Sequence, residues 1–94
     1  MAVKIDAGGL LDCPACDSEN LHQESVTTWF RDEDADLYSG YRVGRGGGRI
    51  VGPESNPSGR RDGLIVEFRC EGCDHRPKLA VVQHKGNTYV EWQD

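Results

Sequence analysis

No run of apolar residues in the chain exceeds four, the longest being LAVV at 79–82. A membrane-spanning helix needs about 20 in succession, so no segment qualifies. The opening stretch, MAVKIDAGGLLD, lacks the continuous apolar centre of a secretory signal, and a cytoplasmic protein with reduced thiols is expected. NPS at 56–58 has proline in its middle position and is no glycosylation acceptor. Helical periodicity is missing too; DSENLH at 17–22 is the only polar stretch suited to a single turn. Hydrophobic residues are scarce, at 36% of 94, with only two Phe and one Met. A chain this short buries roughly 60–65% of its unfolded surface and is marginal without disulfides or a metal.

Catalytic patterns are absent as well. GRGGGRIVG at 44–52 fits neither a P-loop nor a dinucleotide-binding glycine motif. DEDAD at 32–36 has the aspartate spacing that opens an EF-hand. However, Leu37 stands where the turn glycine is required and Val43 where the bidentate glutamate belongs. No Ser–His–Asp or Cys–His nucleophile can be assembled. The expectation is a protein that is not an enzyme and takes no small-molecule substrate.

What is present is strand pattern and charge. SVTTWF at 25–30 is β-branched and aromatic, and GLIVEFRC at 63–70 alternates, placing Leu64, Val66, Phe68 and Cys70 on one side. KLAVVQ and TYVEW flank HKGN at 84–87, a hairpin signature. The net charge of −5 argues against a general polyanion binder. Its distribution is uneven, because DEDAD is followed by Arg42, Arg45, Arg49, Arg60 and Arg61 against Glu54 and Asp62. Residues 40–63 also hold eight of the twelve glycines and two of the four prolines. This composition predicts a long mobile Gly/Arg-rich insert at about 38–62, with YSGYRVG as a possible added edge strand. The chain reads as a single domain over 1–94.

The four cysteines form two C-x-x-C pairs, Cys13/Cys16 and Cys70/Cys73. Each spacing lets one tight turn offer two thiolates, and two such turns complete a tetrahedral set for zinc. The long connection costs little, since loop-closure entropy grows only logarithmically with length. A thioredoxin-like site would need a helix after CEGC, and the sequence there, DHRPKLAVVQ, favours a strand. Two disulfides would suit a secreted chain. Rubredoxin-like iron uses the same four ligands, and spacing does not separate it from zinc. The expectation is one structural zinc on Cys13, Cys16, Cys70 and Cys73, with His75 a lesser candidate and His22 and His84 uninvolved.

Two such knuckles on antiparallel strands resemble the zinc-ribbon superfamily over residues 13–30 and 64–82. That resemblance implies a small all-β fold with a three- to four-stranded antiparallel sheet and a long flexible loop. RDEDAD, after VTTWF and before EFRCEGC, looks like the acidic hairpin of transcript-cleavage factors. It would give Arg31, Asp32 and Glu33 the role of reaching into RNA polymerase and holding magnesium. NPSGRRDGLIVEFRCEGC with QHKGNTYVEW is similar to a group of small zinc-ribbon proteins from bacterial and phage genomes. That likeness implies a fold and no reaction.

The expected function is a zinc-stabilised module that binds nucleic acid, or a nucleic-acid-processing protein, through Arg42, Arg45, Arg49, Arg60 and Arg61. Arginines pair with phosphates and stack on bases. The alternative is a protein-interaction module anchored by Trp29, Trp92 and Tyr89, or joined by strand addition at an open sheet edge. Core filling is the preferred reading of the two tryptophans. A magnesium-dependent cleavage role for Asp32, Glu33, Asp34 and Asp36, and electron transfer through iron, are the remaining readings. Oligomeric state is open.

Overall fold

The structure is a computed structural model and describes residues 2–31, 38–59 and 61–93. The strands are β1 (Leu21–Arg31), β2 (Tyr38–Gly44), β3 (Gly47–Ile50), β4 (Gly63–Cys70), β5 (Lys78–His84) and β6 (Asn87–Gln93). They form one antiparallel sheet in the order β3-β2-β1-β4-β5-β6. Among the described residues there is no α-helix, and none long and apolar enough to cross a membrane.

The all-β expectation holds, and the sheet is larger than expected: six strands in place of three or four. The difference lies in the glycine-rich region. The expectation of a loop over 38–62 is corrected for residues 38–50, because β2 pairs with β1 from Tyr38 to Gly44 and β3 adds outside it. Gly44 lies opposite Gly47, leaving Arg45 and Gly46 as a two-residue turn, with Gly47 at φ 114°. Composition misled here because the glycines are built into a strand pair: Gly47 supplies the positive φ beside the turn and Gly40 leaves room for the Trp29 ring. YSGYRVG is a strand, though an interior one.

Residues 51–59 fold back over the sheet and are tied to it. Trp29 Nε1 donates to the Gly52 carbonyl at 2.8 Å, and the Val51 amide donates to the Gly40 carbonyl at 3.0 Å. The buried Ser58 hydroxyl donates to the Gln83 carbonyl at 3.0 Å, while Asn56 Nδ2 donates to the Arg61 carbonyl at 3.1 Å. The β5–β6 hairpin turns through Lys85 (φ 49°) and Gly86 (φ 80°), the left-handed pair of a type I′ turn.

Side chains alternate across a strand, so the pairing register assigns each paired strand residue to a face, and Glu24, which has no register partner, sides with Arg69 through its hydrogen bond. One row runs Arg49, Arg42, Thr27, Ile65, Ala80, Glu91; the next, on the opposite face, runs Gly48, Val43, Val26, Val66, Leu79, Trp92. The first face carries charge together with the buried Trp29 and Ala80, and residues 51–59 lie against it. The second is uncharged. Trp29 and Trp92 are both core, as preferred from the sequence, and Tyr89 is half exposed. The tryptophans lie on opposite faces, Trp92 packing edge-on against Phe68 with ring centres 6.0 Å apart.

Candidate functional site

The two cysteine pairs come together because β1 and β4 are neighbours. Leu21 lies opposite Cys70, and the Glu71 amide donates to the Asn20 carbonyl at 3.0 Å, joining the chain just before β1 to the end of β4. In the first knuckle the Cys13 amide donates to Ser18 O at 2.8 Å and the Asp17 amide to Cys13 O at 2.9 Å, with Asp17 at φ 63°. In the second, the Cys70 amide donates to His75 O at 3.3 Å. The knuckles touch at Gly72, where an added Cβ would lie 2.9 Å from Ser18 Cβ and 3.3 Å from Cys16 Sγ.

All four Sγ atoms lie within 4.8 Å of one another. Cys13 Sγ is 3.9 Å from Cys73 Sγ and Cys16 Sγ is 3.6 Å from Cys70 Sγ. A disulfide would bring two sulfurs to about 2.05 Å, so none is formed. A tetrahedral ion with metal–sulfur bonds of about 2.3 Å requires sulfurs about 3.8 Å apart. The two distances bracket that edge length, and the four thiols fit a metal ion. His75 is not in the cluster.

The backbone is arranged for thiolates. The Gly72 amide donates to Cys70 Sγ at 3.3 Å, and the amides of Ser18 and His75 serve Cys16 and Cys73 in the same two-residue relation. As bare thiols the four compete for one another's protons. The Ser18 amide favours the Cys16 thiolate, but loss of solvent around the sulfur within the cluster and the three neighbouring thiols outweigh it and push Cys16 up to about 12. Burial opposes the Cys70 thiolate, yet the Gly72 amide and the Cys16 and Cys13 thiols bring it down to about 7. Cys13 is fully buried and Cys70 nearly so, while Cys16 is exposed, so the cluster opens to solvent on one side.

The five arginines singled out from the sequence do not act as one group. Arg42 and Arg49 lie directly opposite each other on β2 and β3, on the charged face. Arg45 occupies the turn between these strands, and its Nε donates to Glu24 Oε2 at 3.2 Å. Arg61 lies at the far end of β4 from the cysteines, its amide donating to Ser58 Oγ, and Arg60 lies outside the described residues. The structure adds two arginines that the sequence did not suggest: Arg69 Nε donates to Glu24 Oε1 at 3.2 Å, and Arg76 Nη1 stands 3.9 Å from the same oxygen. Three guanidinium groups thus share one carboxylate; Glu24 and Arg45 line a groove with Arg42 and Arg49, while Arg69 and Arg76 line the neighbouring depression beside Cys70 and Cys73.

Glu24 is the organiser, and its position is the signal that sequence reading lacked. The β1–β4 register shifts between Gln23 and Ser25, and such a bulge re-aims the extra side chain. Its carboxyl is held below the ordinary 4.5, first by the Arg45 hydrogen bond and then by Arg69 against partial burial. A lowered carboxylate stabilises the fold fully above the unfolded value, and that contribution is lost as pH falls through the lower folded one. This anchor is therefore intact at neutral pH. Glu71 is lowered in the same direction by His22, whose Nε2 is 2.9 Å from Glu71 Oε2.

Of the acidic-hairpin residues, Arg31 ends β1, its amide donating to Asp62 Oδ1 at 3.0 Å. Asp32, Glu33, Asp34 and Asp36 lie outside the described residues. Comparison of the chain with protein-family models, with curated proteins and with solved structures returned no match.

Proposed function

We propose that the chain is a zinc-ribbon-like binding module. In this reading a structural zinc on Cys13, Cys16, Cys70 and Cys73 holds the knuckles, and the arginine-bearing sheet face binds nucleic acid. The observation that carries the reading is the gathering of Arg45, Arg69 and Arg76 on Glu24 beside the Arg42–Arg49 pair. The cluster holds more guanidinium than its carboxylate neutralises, in a chain whose net charge is −5. Guanidinium groups fixed in position suit phosphate oxygens, which they meet through paired N–H donors. The zinc site is closed by four thiolates and supplies fold, not reaction.

The test is fluorescence anisotropy of metal-loaded protein with single-stranded and duplex DNA and RNA at low and moderate salt. Affinity is expected to fall with salt, because each neutralised phosphate releases counterions. Arg42→Gln with Arg49→Gln is expected to weaken binding about tenfold or more. The same pair should reduce the salt slope by about one for each phosphate left without its arginine. Glu24→Gln is expected to act in the opposite sense, tightening binding several-fold, because it frees arginines that the carboxylate now occupies. Failure to bind any of these at low salt would sink the nucleic-acid reading. A colourless protein with one equivalent of zinc supports the metal assignment. A red protein would move the site to iron and electron transfer.

A further inference from the structure

We infer that the uncharged face of the sheet is a self-association surface, and that two copies of this chain pack face to face through it as a β-sandwich. The five exposed apolar side chains within the strands on this face are Phe30, Tyr41, Val43, Ile50 and Val90, Phe30 being 60% and Ile50 85% accessible. Between them lie the half-buried Leu64, Val66 and Val81 of the two central strands. The polar residues sharing the face, such as Thr28, Ser39, Gln83 and Thr88, are neutral. No lysine, arginine, aspartate, glutamate or histidine of any of the six strands projects from it. Arg42, Arg49, Glu67, Arg69, Lys78 and Glu91 all project from the opposite face.

A sheet with one apolar face is stable only when a second layer covers it. Residues 51–59 provide part of such a layer on the charged face. On the other face, among the described residues, the fully buried positions lie at the end near the cysteines, at Phe68, Cys70 and Trp92. The five exposed side chains offer roughly 500 Å² of surface, and the half-buried ones bring the face close to the ~800 Å² per partner of a stable interface. The largest apolar patch on a typical monomer is about 300–600 Å², so it is the whole face, with its half-buried residues, that exceeds it. The occupant is set by charge and shape. A neutral face gives no electrostatic handle to a charged partner and meets no repulsion from its own copy, since the net −5 lies elsewhere. Two sheets of identical twist pack aligned about 10 Å apart with their inner side chains interleaved. The arginine faces then point outward, and the inference does not depend on what they bind.

Sedimentation velocity on the metal-loaded chain, from micromolar to submillimolar concentration, tests this directly. The expected result is a reversible species of twice the 10.4 kDa chain mass. Ile50→Lys and Val90→Lys alter exposed positions on opposite edge strands and are expected to keep metal content and circular dichroism. Each should weaken the dimer on the order of a hundredfold, because an unpaired charge would be buried in the interface. Arg42→Gln, on the other face, should leave it unchanged. A monomer at the highest concentration overturns the inference. So does a dimer indifferent to both lysines, which would point to edge-strand pairing instead.

Discussion

Cys70→Ser is expected to leave a chain with no cooperative unfolding transition and less than about one tenth of an equivalent of bound metal. The substitution nearly preserves shape, so little of the effect would come from packing. It removes a thiolate that is nearly buried, receives the Gly72 amide at 3.3 Å and ends a central strand opposite Leu21. Binding of a structural zinc contributes about 10–16 kcal/mol of apparent free energy that is also folding free energy. A core of this size alone supplies about 3–5 kcal/mol at most. The metal term is the larger, so the knuckles and the ends of β1 and β4 should come apart together. Strong chelation of the unaltered protein should do the same. Acid should help, because protons compete with metal for the four sulfurs. Thermal melts with metal quantitation decide the matter. A Cys70→Ser protein that keeps both its midpoint and its ion would remove these four residues from the site.

Trp29→Ala should cost about 3–5 kcal/mol, the range for deleting a large buried aromatic. Trp29 is 2% exposed and spans two pieces of structure. Its ring packs on the charged face where β2 presents Gly40, and its Nε1–H holds the Gly52 carbonyl. A Cβ at position 40 would stand 2.7 Å from Trp29 Cδ1 and 2.7 Å from the Val51 carbonyl oxygen, so Gly40→Ala should destabilise by crowding the same ring. Trp29→Phe keeps much of the ring and loses the donor, and about 1–3 kcal/mol is expected from that alone. Tyr89→Ala, at a half-exposed position on the same face, should stay within about 0.5 kcal/mol. Denaturant unfolding of metal-loaded protein measures all four. A Trp29→Ala cost below about 1 kcal/mol would mean that residues 51–59 are not anchored by this ring.

The strands were legible where residues alternate. GLIVEFRC matches β4 from Gly63 to Cys70, and HKGN encloses the turn between β5 and β6. The cysteine spacing was legible because two thiols in a C-x-x-C turn can meet one ion together, whatever separates the pairs. The glycine-rich stretch misled, since composition does not distinguish a disordered chain from a strand pair that carries Gly40, Gly44, Gly47 and Gly48 within its strands. Arg69 and Arg76 were missed for another reason. Their common partner Glu24 faces them only because β1 carries a bulge, and no local pattern around ESVTTWF announces one.

By itself the sequence determined what neighbouring residues can settle among themselves: alternation along strands, the turn at Lys85–Gly86, and two short thiol pairs. The tertiary structure decided everything that depends on register between distant strands. Register set Arg42 against Arg49, carried Cys70 to Cys16 at 3.6 Å, and sorted every strand charge onto one face. A one-residue slip in pairing would send each side chain to the other face. The separation of a charged face from an uncharged one is therefore a property of the assembled sheet.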